Sequence, residues 1–123
     1  MATHYLVGML YHEPESWALH QAGVLEDFEC STGIFVEATS PEAAIAWAES
    51  IASALIRELN RDETLDWKGM GYYCWIEGNP STSDWKHCLS FFQHVKVGEW
   101  PSFNAMGTTA YAKWAEENGI KYA

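Results

Sequence analysis

One cysteine with two histidines nearby, His87, Cys88 and His94, has the residue types of a nucleophilic dyad. A neighbouring imidazole would lower the pKa of the thiol and generate a thiolate nucleophile. On a strand, adjacent side chains point to opposite faces, so His94 would share the face of Cys88 but lie roughly 20 Å along it. Cys74, on a facing strand, is a further partner for either residue. Because free cysteines commonly pack as small hydrophobic residues, we expect a buried structural thiol and assign no catalytic residue.

Histidine and glutamate side chains between residues 12 and 20 form a second group with chemical potential. His12, Glu13, Glu15 and His20 are of the types that bind divalent metal ions. Pro14 interrupts any fixed spacing, and no two histidines stand four apart on a helix to hold one ion. We therefore expect no metal site and no cofactor. The chain also lacks a P-loop, a GxSxG elbow and a HExxH motif, which favours a non-catalytic protein over an enzyme.

Large aromatic side chains recur in segments that are expected to lie near the surface. Tyr72, Tyr73, His94 and Trp100 are the candidates for lining a small-molecule pocket or enzyme site between the sheet and the aromatic loops, although no reaction can be assigned to them. Another interpretation is a structural subunit that forms a homodimer through the edge of a strand at residues 87–97, which carries Phe92 on its second face.

Charge is distributed unevenly along the chain. The 123 residues contain seventeen acidic and seven basic side chains, for a formal net charge of −10. The first 56 residues hold eight of the acids and no Lys or Arg, whereas residues 57–123 hold the other nine acids and all seven bases. Nucleic acids and anionic membranes require clustered Lys and Arg, so both are disfavoured as partners. A basic protein is the partner that this pattern favours, because complementary fields raise association rates.

The surface for this partner is predicted to include the acidic stretch 13–29. The residues assigned to it are Glu13, Glu15, Trp17, Glu26, Asp27 and Glu29. Tryptophan is enriched in binding hot spots because it buries a large area with few rotatable bonds. Small inhibitors and immunity proteins of basic nuclease toxins use acidic charge in this way, and we expect a comparable non-catalytic function. The alternative is that the charge only keeps the protein soluble and monomeric.

Length and composition predict one domain over residues 1–123. A hydrophobic content of 48% is enough to fill a single core. No window approaches the roughly 18 to 20 apolar residues of a membrane span, and the N-terminus MATHYLVGML lacks the basic region of a signal peptide. Three cysteines without a CxxC pair fit neither a disulfide scaffold nor a zinc site, although a bridge between Cys74 and Cys88 across a hairpin is geometrically allowed. These features predict a cytoplasmic protein.

Hydrophobic patterns predict six elements that must position these side chains. The predicted strands are residues 4–12, 28–38, 70–77 and 87–97, and the last two are expected to form a hairpin with a long connection. A long helix is predicted from Ser40, a natural N-cap followed by Pro41, to Arg61. A second helix is predicted to start near Thr108 or Thr109 and to end at Asn118-Gly119. Residues 13–26 are compatible with a short helix or with a loop.

The order of these elements, β-β-α-β-β-α, predicts an α+β fold. Adjacent strands with short connections pair antiparallel, and each helix has one apolar stripe that must be buried. The expected arrangement is a single two-layer domain in which a four-stranded, mostly antiparallel sheet carries both helices on one face.

Overall fold

The computed structural model describes residues 2–24 and 30–119, apart from the side chains of residues 15, 16, 108 and 109. The elements are β1 (Thr3–Tyr11), α1 (Pro14–Gln21), β2 (Cys30–Ala38), α2 (Pro41–Asn60), β3 (Cys74–Ile76), β4 (His94–Lys96) and α3 (Thr108–Glu117). Short 3₁₀ helices cover Pro80–Thr82, Lys86–Phe91 and Phe103–Ala105. The predicted α+β class is confirmed, and the ambiguous segment after β1 contains a helix.

The four strands form one mixed sheet in the order β3-β1-β2-β4. β1 pairs antiparallel with both β2 and β3, whereas β4 runs parallel to β2. The sheet is therefore mostly antiparallel, as predicted. The predicted hairpin of the third and fourth strands is wrong, because β3 and β4 lie at opposite edges of the sheet. The chain between them crosses one face of the sheet rather than turning back on itself.

The long helix α2 begins and ends where the sequence predicts. The Ser40 hydroxyl accepts a hydrogen bond from the Ala43 backbone N–H at 3.1 Å, and Pro41 occupies the first turn. The helix stops at Arg61, whose backbone is left-handed with φ of 50°. Its apolar stripe packs on one face of the sheet, which we call the helix-covered face. The fully buried residues of this core include Val7, Met9, Ile34, Val36, Ile51 and Leu55.

The opposite face, which we call the aromatic face, is built on two glycines. Gly8 of β1 and Gly33 of β2 are directly paired across the sheet. A Cβ atom on Gly8 would overlap the indole of Trp75, and one on Gly33 would lie 2.9 Å from the ring of Trp85. The missing side chains therefore create the floor on which two tryptophans lie.

The segment from residue 85 to residue 92 covers the rest of the aromatic face. Only His94–Lys96 of the predicted strand 87–97 is a strand, while Lys86–Phe91 forms 3₁₀ turns. The strand prediction is wrong for residues 87–92. In a strand, alternate side chains would point to opposite faces of the sheet, but here side chains from both sets pack in one cluster. Cys88 and Phe92 are buried beside Leu6, and Leu89 and Phe91 are packed against them.

The last helix, α3, has the predicted extent, but its aromatic residues pack on a different face of the sheet from the one expected. Tyr111 and Trp114 pack with Phe91 in the cluster of the aromatic face, at ring-centroid distances of 5.3 and 5.5 Å. Its aromatic residues therefore join the face opposite α2, whereas both helices were expected on one face. In the described residues, no helix is long and apolar enough to cross a bilayer.

Candidate functional site

The short helix α1 is the most exposed regular element of the described chain that carries large apolar side chains. Trp17, Leu19 and Val24 expose 40%, 38% and 67% of their surface. Pro14 starts the helix, and the chain leaves it at Gly23, where φ is +77°. The apolar residues do not recur at the 3.6-residue spacing of a helix that buries one side. The sequence therefore forms a helix here without hiding its apolar residues.

Trp17 is held in place by two histidines. Its ring centroid lies 5.7 Å from that of His12 and 5.8 Å from that of His20, with tilts of 30° and 33°. His12 is itself fixed, because its Nδ1 atom is 2.9 Å from the Tyr72 hydroxyl and its carbonyl accepts a hydrogen bond from Asn60 at 2.8 Å. The indole therefore combines exposure with a defined orientation.

His12 is 4% exposed, and its burial lowers its pKa below the ordinary value for histidine. The neutral imidazole is the form that this environment favours. In the described residues, no group of three or more His, Cys, Asp and Glu side chains is placed to hold a metal ion. His12 acts here as a structural residue that links the start of α1 to Tyr72.

The described carboxylates of the first 56 residues lie on separate parts of the molecule. Glu37 lies beside His4, whose Nε2 atom is 3.4 Å from its carboxylate, and Glu49 is 3.5 Å from the ammonium of Lys68. Glu37 pairs with His4, and α1 follows Tyr11, seven residues further along β1, so Glu37 and α1 are separated by roughly 23 Å. Only Glu13, which accepts a hydrogen bond from the Tyr11 hydroxyl at 3.3 Å, is described at the start of α1.

Four of the predicted partner-binding groups cannot be placed. Glu26, Asp27 and Glu29, and the side chain of Glu15, lie outside the described residues. Trp17 and Glu13 are the two that the structure locates, and both lie at α1.

The four residues predicted to line a pocket do not share one. Tyr72 is buried against His12, and Tyr73 is 58% exposed next to β3. His94 lies on β4 at the opposite edge of the sheet, where it stacks on Phe35 with ring centroids 4.5 Å apart. Trp100 is 54% exposed and contacts Trp47.

A cavity of about 270 Å³ lies elsewhere, between β2, the segment 85–92 and α3. Its walls include Thr32, Trp85, Cys88, Phe92 and Tyr111. The cavity is not predictable from a strand at residues 87–92, because a strand there would direct alternate side chains to opposite faces of the sheet. The signal available in the sequence was three aromatic residues in one short segment, Trp85, Phe91 and Phe92, together with two predicted strands that contain glycine.

The Cys–His dyad considered from the sequence is not assembled in this cavity. The Cys88 thiol donates to the Trp85 carbonyl at 3.3 Å, while His87 Nε2 lies 3.3 Å from the Tyr111 hydroxyl. Burial raises the pKa of the Cys88 thiol, an effect that a hydrogen bond with Tyr111 partly opposes. For Cys74, burial and then the charge of Glu49 raise the pKa to about 12. Both side chains are therefore protonated thiols, and they are not joined in a disulfide.

Comparison with family models, curated proteins and solved structures gave no match for this chain.

Proposed function

We propose that this chain is a non-catalytic binding module that engages a basic protein through residues 13–29. The observation that carries the proposal is that α1 exposes Trp17 and Leu19, followed by Val24, within a segment that contains five acids and no Lys or Arg. Exposed apolar side chains among charges of one sign are typical of a surface that binds a partner of the opposite charge.

The geometry of Trp17 supports a role as the central contact. A binding residue loses side-chain entropy when it becomes fixed in a complex. The rings of His12 and His20 already restrict the indole, while 40% of its surface remains exposed. Binding to Trp17 therefore costs less ordering than binding to a mobile side chain.

The charge of the whole chain supports the choice of partner. With a formal net charge of −10, the protein attracts cations over about one Debye length, which is about 8 Å at physiological salt. The described bases lie outside the contact segment, at residues 57, 61, 68, 86, 96 and 113. An inhibitor or immunity protein that blocks a basic enzyme would use charge in this way. We place this encounter in the cytoplasm, in keeping with the free thiols of Cys74 and Cys88.

The test is capture of partners from a lysate at about 50 mM salt, followed by purification and a measured dissociation constant for each captured protein. We expect a basic partner that is released near half-molar salt because the contact is electrostatic. Trp17→Ala should weaken its binding by at least about tenfold, since truncation of an aromatic hot-spot residue removes more than 1.4 kcal/mol. The triple variant Glu26→Gln, Asp27→Asn, Glu29→Gln should lower the association rate.

Trp100→Ala is the matched control, because Trp100 is similarly exposed at 54% but lies on the loop after β4. The control should bind as the native protein does. Equal loss in both tryptophan variants, or capture that is insensitive to salt, would contradict the proposal. Sedimentation of the isolated protein as a dimer that Trp17→Ala dissociates would instead assign the surface of α1 to a second copy of the chain.

A further inference from the structure

We propose that the cavity between β2, the segment 85–92 and α3 binds a small, uncharged, planar ring compound with one polar edge. The cavity borders the protein-contact segment at Glu13, whose carboxylate accepts a hydrogen bond from the lining residue Tyr11, but neither proposal depends on the other. Its volume of about 270 Å³ lies just below the roughly 300 to 1,000 Å³ of pockets for drug-sized ligands. A single or fused ring system is therefore the size that fits.

The cavity exists because β4 is too short to cover β2. Pairing between these strands is confined to Phe35–Glu37, and the Phe35 N–H donates to the Gln93 carbonyl at 2.9 Å where the pairing starts. Ser31 and Thr32, which precede this point on β2, pair with β1 on one side but have no partner in β4 on the other, where they line the cavity. The opening is thus a consequence of strand length.

Aromatic rings form the walls and hold one another in fixed orientations. Trp85 and Phe92 meet edge to face with centroids 5.2 Å apart, and Phe91 and Tyr111 do so at 5.3 Å and 83°. Edge-to-face contacts are the preferred geometry of such pairs. Trp85 is also fixed from below by its close contact with Gly33. Rigid ring surfaces are suited to a flat apolar ligand, which they can contact over both faces.

Hydroxyl groups and one imidazole provide the polar side of the cavity. Ser31 is exposed, and Thr32 is buried at 5% exposure. The Tyr111 hydroxyl and His87 Nε2 lie 3.3 Å apart, and because a hydroxyl and an imidazole can each donate or accept, a ligand with a polar edge can exchange for this contact. A ligand with an amide or a similar donor-acceptor edge would find complementary groups here.

The lining selects against charged ligands. Among the described residues that line the cavity there is no Asp, Glu, Lys or Arg, although the chain as a whole carries 24 such side chains. A charged ligand would lose hydration without gaining a counter-charge from a lining residue, since the Glu13 carboxylate, which accepts a hydrogen bond from the lining residue Tyr11, is not itself part of the lining. The net charge of −10 additionally repels anions. A neutral compound avoids both penalties.

Three isosteric probes test the ligand class directly. Benzamide, benzoate and benzamidinium share one ring and a planar polar group but are neutral, anionic and cationic. In ¹H–¹⁵N correlation spectra of the whole protein at physiological salt, benzamide titrated to about 10 mM should give saturable shifts at the amides of Ser31, Gly33, Cys88 and Gly107. We expect it to bind at least about tenfold more tightly than either charged probe.

Two matched substitutions test the location. Ser31→Tyr places a ring in the cavity and should abolish saturable benzamide binding, whereas Ser90→Tyr, at an exposed position of the same crossing segment, should leave it unchanged. Tyr111→Phe keeps the ring and removes the hydroxyl, so it should weaken benzamide severalfold. Thermal melts of each variant report whether it is folded.

Three results would overturn the proposal. These are the absence of saturable shifts with benzamide, binding of a charged probe as tight as that of benzamide, and binding of benzamide by Ser31→Tyr as tight as that by the native chain. The first would remove the ligand site, the second its ligand class and the third its location. None of them bears on capture of a basic protein through α1.

Discussion

One face of the sheet is covered by a regular helix, whereas the other is covered by an irregular run of aromatic residues. On the helix-covered face, α2 presents small and branched side chains that fill the space above β1 and β2, so that Val7, Ile34 and Ile51 are fully buried. On the aromatic face, Trp75 and Trp85 lie over paired glycines. The first face is closed by helical periodicity and the second by the shapes of individual rings.

This difference explains where the cavity lies. Aliphatic side chains at helical spacing interdigitate with a sheet to the density of a crystal and leave little space. Large rings on a segment without regular spacing meet at their edges and leave gaps between them. The 270 Å³ cavity lies where this segment meets the open edge of β2, and its walls combine Trp85 and Phe92 with Tyr11 of the other core. The helix-covered face therefore provides stability, and the aromatic face provides a binding volume.

The largest expected effect is truncation on the helix-covered face. Leu55→Ala should lower the free energy of unfolding by about 2 to 5 kcal/mol, because Leu55 is fully buried and the rigid core cannot close around the void. Leu89→Ala, on the half-buried cover of the aromatic face, should cost only about 1 kcal/mol. Urea unfolding of both variants measures the contrast. Equal losses would mean that the two faces are packed alike.

A smaller effect is expected when the glycine floor is altered. Gly8→Ala should destabilise the fold by about 1 to 3 kcal/mol, because the new methyl group occupies the space of the Trp75 ring. Gly78→Ala is the control, since nothing lies within 4 Å of the position of its Cβ atom. Thermal unfolding followed by near-ultraviolet circular dichroism reports both stability and the aromatic environment. An unchanged melting temperature for Gly8→Ala would show that Trp75 can move without cost.

The sequence predicted the helix-covered side of the molecule well for a physical reason. The N-cap Ser40 and the spacing of Ile51 and Leu55 are local features, and they specify α2 without knowledge of the rest of the fold. The segment 85–92 lacks such local information. Its conformation depends on Gly33, which lies far away in the sequence and leaves room for Trp85.

The candidate sites also differ in whether local sequence is enough to predict them. Trp17 could be selected from its own segment, because an aromatic residue among acids is visible in the sequence. The cavity could not, because it depends on β4 covering only part of β2. Predicting that gap requires the strand order, and the predicted hairpin of β3 with β4 gave the wrong order.

The buried His12–Tyr72 pair predicts a dependence of stability on pH. Burial lowers the pKa of His12, so the unfolded chain binds more protons than the folded chain below the ordinary histidine pKa of about 6.5. The stabilisation is complete above that pH and declines as the pH falls from it towards the lower folded pKa. The slope from this residue cannot exceed about 1.4 kcal/mol per pH unit, the value for one proton.

Urea unfolding between about pH 8 and pH 5.5 measures this slope. His12→Gln should flatten the profile, whatever its effect on stability at high pH. His87→Gln, at an exposed position, is the control and should retain the native profile. A slope that is the same in all three proteins would assign the pH dependence to other groups.

The smallest effect is expected from the ion pair on the outer side of α2. Lys68 and Glu49 are 3.5 Å apart, with 74% and 32% of their side-chain surfaces exposed. Exposed pairs contribute about 0 to 1 kcal/mol, so Lys68→Gln should change the free energy of unfolding by less than about 0.5 kcal/mol. The measurement is urea unfolding at low and high salt, with Lys113→Gln, on the exposed surface of α3, as the control. A loss above about 1 kcal/mol that disappears in high salt would mean that surface charge, and not only burial under α2, stabilises this side of the sheet.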